Sequence, residues 1–317
     1  MKKEKGLEAF KDSDSAGRLS PLGDDGCSPF IIDSQKITES VFFARLAKKT
    51  LLGNPNFPTT DYLTQTVRVN THATYAASLL GLNVPLVQAI ANLQYIGKPP
   101  YSYLSESIMF ELSERAVSYH SFGLELAVQK MNLSEETLDY LRAQAPQLNH
   151  DVKQLNEYKL VDRVSKLCAI FTNLEDFSRV GLLDRHKLFQ NYPEINLDFC
   201  LKEFVRESLF DERISFVCSP VSRAVIELKK ASRQVLEKLN SLPGVPNADA
   251  KAIKDLYRLL KKHQDVLRID PVTAIMMMTD DEFRQSLAML EDLDVGQVLA
   301  IKAMPWVALC DNLLLNK

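Results

Sequence analysis

Apolar residues recur at steps of three and four along nearly the whole chain, and this spacing leaves little choice of fold. Val221, Val225, Leu228, Val235 and Leu239 form one such stripe, and Ile253, Leu256, Leu260 and Leu267 form another. The segment from Leu155 to Phe177 carries Leu160, Val164, Leu167, Cys168, Phe171 and Leu174 in the same rhythm. Residues at these offsets share one face of an α-helix, whereas a half-buried strand needs strict alternation. Alternation is scarce: Arg213 to Cys218 is the best strand candidate, and it is short. With only 11 glycines in 317 residues, neither a GxGxxG nor a GxxxxGK[ST] loop occurs, so the common phosphate-cradling loops are absent. The pattern predicts an all-α globule.

Local punctuation divides the stripes. Ser34 to Leu52 reads as one helix ended by Gly53-Asn54-Pro55. Asp61 to Leu80 reads as a second, stopped by Gly81, and Asn83 with Pro85 starts a third that runs to about Tyr95. A fourth opens at Ser102 to Ser105 and continues to about Ser118, and Ser134-Glu135-Glu136 starts a short helix. Asp270-Pro271 pairs an N-cap with Pro at the first helical position. Asp294 caps a last helix toward Leu315, bent at Pro305. Residues 1–30 are polar, with Gly, Ser, Asp and Pro clustered from Asp12 to Pro29, and read as a flexible arm. A body over 31–210 and a C-terminal helical region over 211–317 follow.

Composition excludes some classes of function. The net charge is −3, so no global basic field attracts nucleic acid. Five scattered cysteines without a CxxC pair argue against a zinc ribbon or a disulfide framework. No run reaches the ~20 apolar residues that span a bilayer, and the charged start lacks the apolar core of a secretory signal. A cytoplasmic protein is the expectation.

The residues from Ala91 to Glu106 carry the functional signal: ANLQYIGKPPYSYLSE, an Ile-Gly-x-Pro-Pro-aromatic turn between two apolar helices. His72 follows Arg68-Val69-Asn70-Thr71 at the start of an apolar helix, about 22 residues before Gln94-Tyr95, and Thr172-Asn173-Leu174-Glu175-Asp176 closes the long helix that begins near Leu155. Phe43-Ala44-Arg45-Leu46-Ala47-Lys48-Lys49-Thr50 lies upstream and Met278-Thr279-Asp280 downstream. The literal His150-Asp151 pair sits in a polar stretch and reads as coincidence, and Met276-Met277-Met278 reads as core filling.

In order and spacing these segments resemble the HD-domain nucleotide hydrolases, in particular the deoxyguanosine triphosphate triphosphohydrolase-like branch. The resemblance covers about residues 30–285. The Phe43–Thr50 segment matches a Phe-Arg-Arg-Leu…Lys-Thr helix with Ala44 for one Arg, and Val69 stands at the register of the next Arg, with Arg68 one residue out. Ser118-Tyr119-His120-Ser121 matches an aromatic-Glu-His-Asn element through His120 alone. The resemblance implies four metal ligands: a His, a His-Asp pair and a distant Asp. Here the positions are His72, Gln94, Tyr95 and Asn173, so three of the four are replaced. Lys98 and Tyr103 stand where the family has further histidines.

A neutral amide is a poor ligand, and a phenol ionises only near ~10. One imidazole does not hold Mg, Mn or Fe. No cofactor and no catalytic residue is therefore expected, and the resemblance implies a catalytically degenerate regulatory or scaffolding protein. An active dNTP triphosphohydrolase with an altered site is the alternative. Arg45, Lys49, Arg68, Lys98, Tyr103 and His120 are the candidates for binding a nucleotide or phosphate without metal. Tyr95, Tyr101 and Tyr103 either stack a base or plug the cavity. The resemblance further implies a homo-oligomer or a mixed assembly with a paralogue. Some relatives bind single-stranded nucleic acid, but no basic-aromatic stripe supports that here.

Overall fold

A computed structural model describes residues 7–20, 26–51, 59–113, 118–145, 152–190, 193–216, 220–241, 245–291 and 295–314. Among these the chain is helical, without a strand, and only two isolated bridges occur, Arg18 with Ser134 and Thr50 with Asp61. No helix among them is long and apolar enough to cross a membrane.

The centre is built from four helices. They are α1 (Pro29–Glu39), α3 (Tyr62–Leu80), α4 (Val84–Leu93) and α8 (Asn156–Arg179), with the short α2 (Val41–Ala44) and a 3₁₀ turn (Arg45–Lys48) following α1. α4 is apolar over most of its surface: Leu86, Val87, Ala89, Ile90, Ala91 and Leu93 are fully buried, and Gln88 is its one exposed residue. A helix this largely apolar belongs inside, and α1, α3 and α8 pack around this one. The start of α4 and the end of α3 are set by the predicted chemistry, since Asn83 accepts from the Leu86 amide and Gly81 closes α3 in the left-handed conformation at φ 69°.

Around this centre lie α5 (Ser102–Ser113), α6 (Tyr119–Lys130), α7 (Glu135–Gln144), α9 (Arg185–Phe189) and α10 (Leu197–Phe210). The C-terminal part supplies α11 (Pro220–Ser241), α12 (Val245–Lys262), α13 (Gln264–Leu267), α14 (Pro271–Met277), α15 (Asp280–Glu291), α16 (Val295–Lys302) and α17 (Pro305–Leu314). α12 packs on α5, α14 and α15, and Trp306 is buried in the main core. α11 packs on α8 and α10, where Leu167, Ile170, Phe171, Val225 and Leu228 form a second, smaller core.

Several local expectations change. The single helix over 34–52 is interrupted at Ser40, whose backbone is extended and whose side chain accepts from the Phe43 amide, ending α1 and starting α2. Arg213 to Phe216 form no strand, because Glu212 turns left-handed at φ 50° and the Ser208 hydroxyl bridges both backbone groups of Ser215; Cys218 lies outside the described residues. Pro305 separates α16 from α17 rather than bending one helix. Asp294, His150 and Asp151 lie outside the described residues.

The N-terminal segment differs most from expectation. Residues 7–20 are docked on the body. The Phe10 amide donates to Glu157 at 2.9 Å, the Ala16 amide to Glu136 at 2.7 Å, and Arg18 pairs with Asp33 at 2.9 Å. Asp33 is fully buried and also accepts from Ser134 and Thr137. The polarity that reads as solvation is spent on three buried carboxylates of the body.

The turn after α4 is fixed by a backbone contact. Gly97 has φ 95°, and a Cβ there would meet the Tyr119 carbonyl oxygen at 2.5 Å. Facing it on α6, a Cβ at Gly123 would lie 2.2 Å from the Ile96 carbonyl oxygen. Gly123→Ala must therefore push the turn off α6. We expect a loss of roughly 2–3 kcal/mol, or about 3–5 °C in melting temperature, by thermal denaturation. An unchanged melting temperature would contradict the contact.

Candidate functional site

The run from Ala91 to Tyr101 is buried at every position. An interior turn brings polar groups that need partners, and the chain supplies them. Ser105 donates to the Pro100 carbonyl at 2.5 Å, and the Lys98 amide to the Tyr95 carbonyl at 3.1 Å. Tyr101, left-handed at φ 55°, stacks edge-on against Phe283 of α15, and burial pushes its phenol up to about 12.

The four inferred ligand positions do not converge on one point. Tyr95 hydrogen-bonds Ser165 of α8 at 2.9 Å and packs on Tyr62, with ring centroids 5.2 Å apart. Tyr62 opens α3, and His72 lies ten residues further along the same helix, about 15 Å at 1.5 Å per residue. His72 instead faces Asp198 of α10 at 3.9 Å, and burial lowers its pKa, with Asp198 opposing and Arg68 assisting. Gln94 turns back on its own helix and donates to the Ala91 carbonyl at 3.1 Å. Asn173 sits half-buried on α8. The level between Tyr95 and His72 is occupied by a chain of neutral amides, Asn70 donating to Asn92 at 2.7 Å and Asn92 to Ser34 at 3.0 Å. Among the described residues no three His, Cys, Asp or Glu side chains are grouped as a metal site. The donor set therefore does not fit the divalent ion that the resemblance implies.

The candidate phosphate-binding groups are better placed, but each is engaged. Arg45 donates to Glu282 and to the Met277 carbonyl. Lys49, almost fully buried, donates to the Lys98 carbonyl and to the Met276 carbonyl at 3.0 Å. Arg68 bonds Thr172 at 2.7 Å and Glu175 at 2.9 Å. The Lys98 ammonium stands 3.4 Å above the centroid of the Tyr119 ring and 3.3 Å from Glu106. His120 stacks on Tyr119 at 3.8 Å between centroids. The side chain of Tyr103 lies outside the described residues.

Burial then sets the charge states. Desolvation, with Arg45 adding to it, lowers the Lys49 pKa to about 7. Desolvation lowers Lys98 to about 8 against the attraction of Glu106. His120 falls to about 3, through burial first and Lys98 second, so it is neutral at physiological pH. The cavity bounded by Arg45, Lys49, Gly97 and Met276 measures about 10 Å³, room for one water and not for a triphosphate.

Partners that sequence reasoning missed complete the cluster: Tyr62, Tyr119, Ser165 and Glu282. Glu282 had a signal, because Thr279-x-x-Glu282 is a capping box, and the Thr279 amide indeed donates to Glu282 at 2.8 Å. Asp280 accepts from both the amide and the hydroxyl of Thr50, so the Met278–Asp280 segment is latched to the Phe43–Thr50 segment. Compared with known proteins, the chain matches no protein-family model and no curated protein.

Lys98 gives a pH signature. Its folded pKa lies below the unfolded value, so between about 8 and 10.5 the unfolded chain binds more protons and stability rises with pH. Below that window the penalty of the buried charge is fully present. Lys98→Met should remove this dependence, so that the stability difference, wild type minus variant, climbs by up to roughly 3 kcal/mol across the window in urea denaturation. A flat difference would mean a solvated Lys98.

Proposed function

We propose that this chain is a catalytically degenerate relative of the HD-domain triphosphohydrolases that works as a regulatory or scaffolding subunit. The observation that carries the reading is the use of the candidate phosphate-binding cations as internal struts. Arg45, Lys49, Arg68 and Lys98 each bond an acceptor of the chain itself, and His120 is held neutral. A triphosphate would have to displace all of these and open a cavity of about 10 Å³.

Retention of the Gly-x-Pro-Pro turn without its metal ligands has a structural reason on this reading. The turn needs Gly97 to pass the α6 backbone at Gly123, whatever chemistry surrounds it. An assembly role draws support from the outer face of α3. Val67, Tyr75 and Leu79 are each about half exposed there, and Arg68, which shares their face of the helix, is already paired with Glu175 at 2.9 Å.

Thermal shift with each of the four dNTPs, with Mn²⁺ and with EDTA, tests the proposal alongside an assay for triphosphate release. A ligand at about a hundred times its Kd would add about 2.7 kcal/mol and raise the melting temperature by several degrees. We expect no such shift and no release. Metal-dependent release abolished by His72→Ala would establish the enzyme instead. A shift that survives EDTA and disappears in Lys98→Ala would establish a metal-free nucleotide site.

A further inference from the structure

A second cavity lies between α8, α10 and α11. It measures about 150 Å³ and opens to solvent on one side. Its walls are Leu167 and Ile170 of α8, Phe204 of α10, Phe216 of the following loop and Val225 of α11. A cavity of roughly 150 Å³ with Leu, Ile and Phe walls is large enough to hold a benzene ring. The space therefore suits an apolar group of about that size, and it is too small for a nucleotide.

The mouth has the opposite character. Arg163 and Lys166 of α8 and Lys229 of α11 border the same cavity, and no Asp or Glu does. Lys166 is paired with Asp162 at 2.7 Å. Arg163 and Lys229 have no carboxylate partner among the described residues. Helical spacing explains the arrangement. Arg163, Leu167 and Ile170 share one face of α8, Val225 and Lys229 share one face of α11, and the two helices pack together. Each helix thus presents an apolar wall and a cation above it.

We propose that this cavity binds a small amphiphilic monoanion, an aromatic or short-chain carboxylate, with its apolar end against Leu167, Ile170 and Phe204 and its carboxylate at Arg163 and Lys229. Apolar burial anchors such a ligand, and the two cations select for charge. The site is independent of the degenerate turn, so it stands or falls separately from the function proposed above. On that function it would be the place where a small metabolite acts on the scaffold.

The test uses the full chain and 3-phenylpropionate, whose ring fits the cavity and whose two methylenes reach the mouth, with 3-phenylpropan-1-ol as the neutral match. Titration calorimetry should show saturable binding of the acid and binding of the alcohol at least about fivefold weaker. The double substitution Arg163→Ala, Lys229→Ala changes only exposed side chains. It should weaken the acid by about fivefold and leave the alcohol unchanged. Val225→Phe fills the cavity and should abolish both. Equal affinity of acid and alcohol, no binding of the acid, or an affinity unaffected by the double substitution would overturn the proposal. So would sedimentation with phosphatidylglycerol vesicles in place of acid binding, which would mark the cations as a membrane-facing patch.

Discussion

Two backbones that touch without side chains between them hold this molecule's centre. Gly97 in the turn after α4 and Gly123 on α6 approach so closely that a Cβ on either would strike the other strand of chain. That contact carries Lys98 inward, over the face of Tyr119, and sets its carbonyl where Lys49 can reach it. Lys49 in turn ties the turn to Met276, and Arg45 and Thr50 tie the same helix end to Glu282 and Asp280. Three segments distant in sequence are thus joined by cations and backbone acceptors around one tight turn.

The electrostatic consequence is that positive charge here is structural. A buried ammonium is costly unless its donors are satisfied, and desolvation lowers its pKa. Both effects act on Lys49 and Lys98, and the partners that make them tolerable are also what occupies them. A site for a phosphate ester needs cations held in place but left unpaired toward the ligand. In this cluster the held groups are paired with the chain, and the neutral His120 adds no charge.

Much of the fold was legible because helix signals are local. The apolar stripes, the caps at Asp61, Asn83 and Asp270, and the stop at Gly81 appear where their spacing and chemistry place them. The break at Ser40 was hidden because the stripe runs through it and only the cap geometry reveals it. Docking of residues 7–20 was hidden for a different reason: its acceptors Asp33, Glu136 and Glu157 are spread along the chain, as far as 147 residues from the donor. At the site, the substitutions at Gln94, Tyr95 and Asn173 were plain in the sequence. The engagement of Lys98 was not, since Tyr119 comes to it only through the glycine contact. His72 was expected beside Gln94 and Tyr95, but the rise of α3 carries it to Asp198.

The central claim is that the cations behind the turn are interior struts rather than a waiting anion site. The most direct measurement is an NMR titration of the Lys49 and Lys98 side chains in the full chain. The account predicts midpoints depressed to about 7 and about 8, unmoved by added dNTP. Two lysines titrating near the ordinary 10.5, or shifting when dNTP is added, would contradict it.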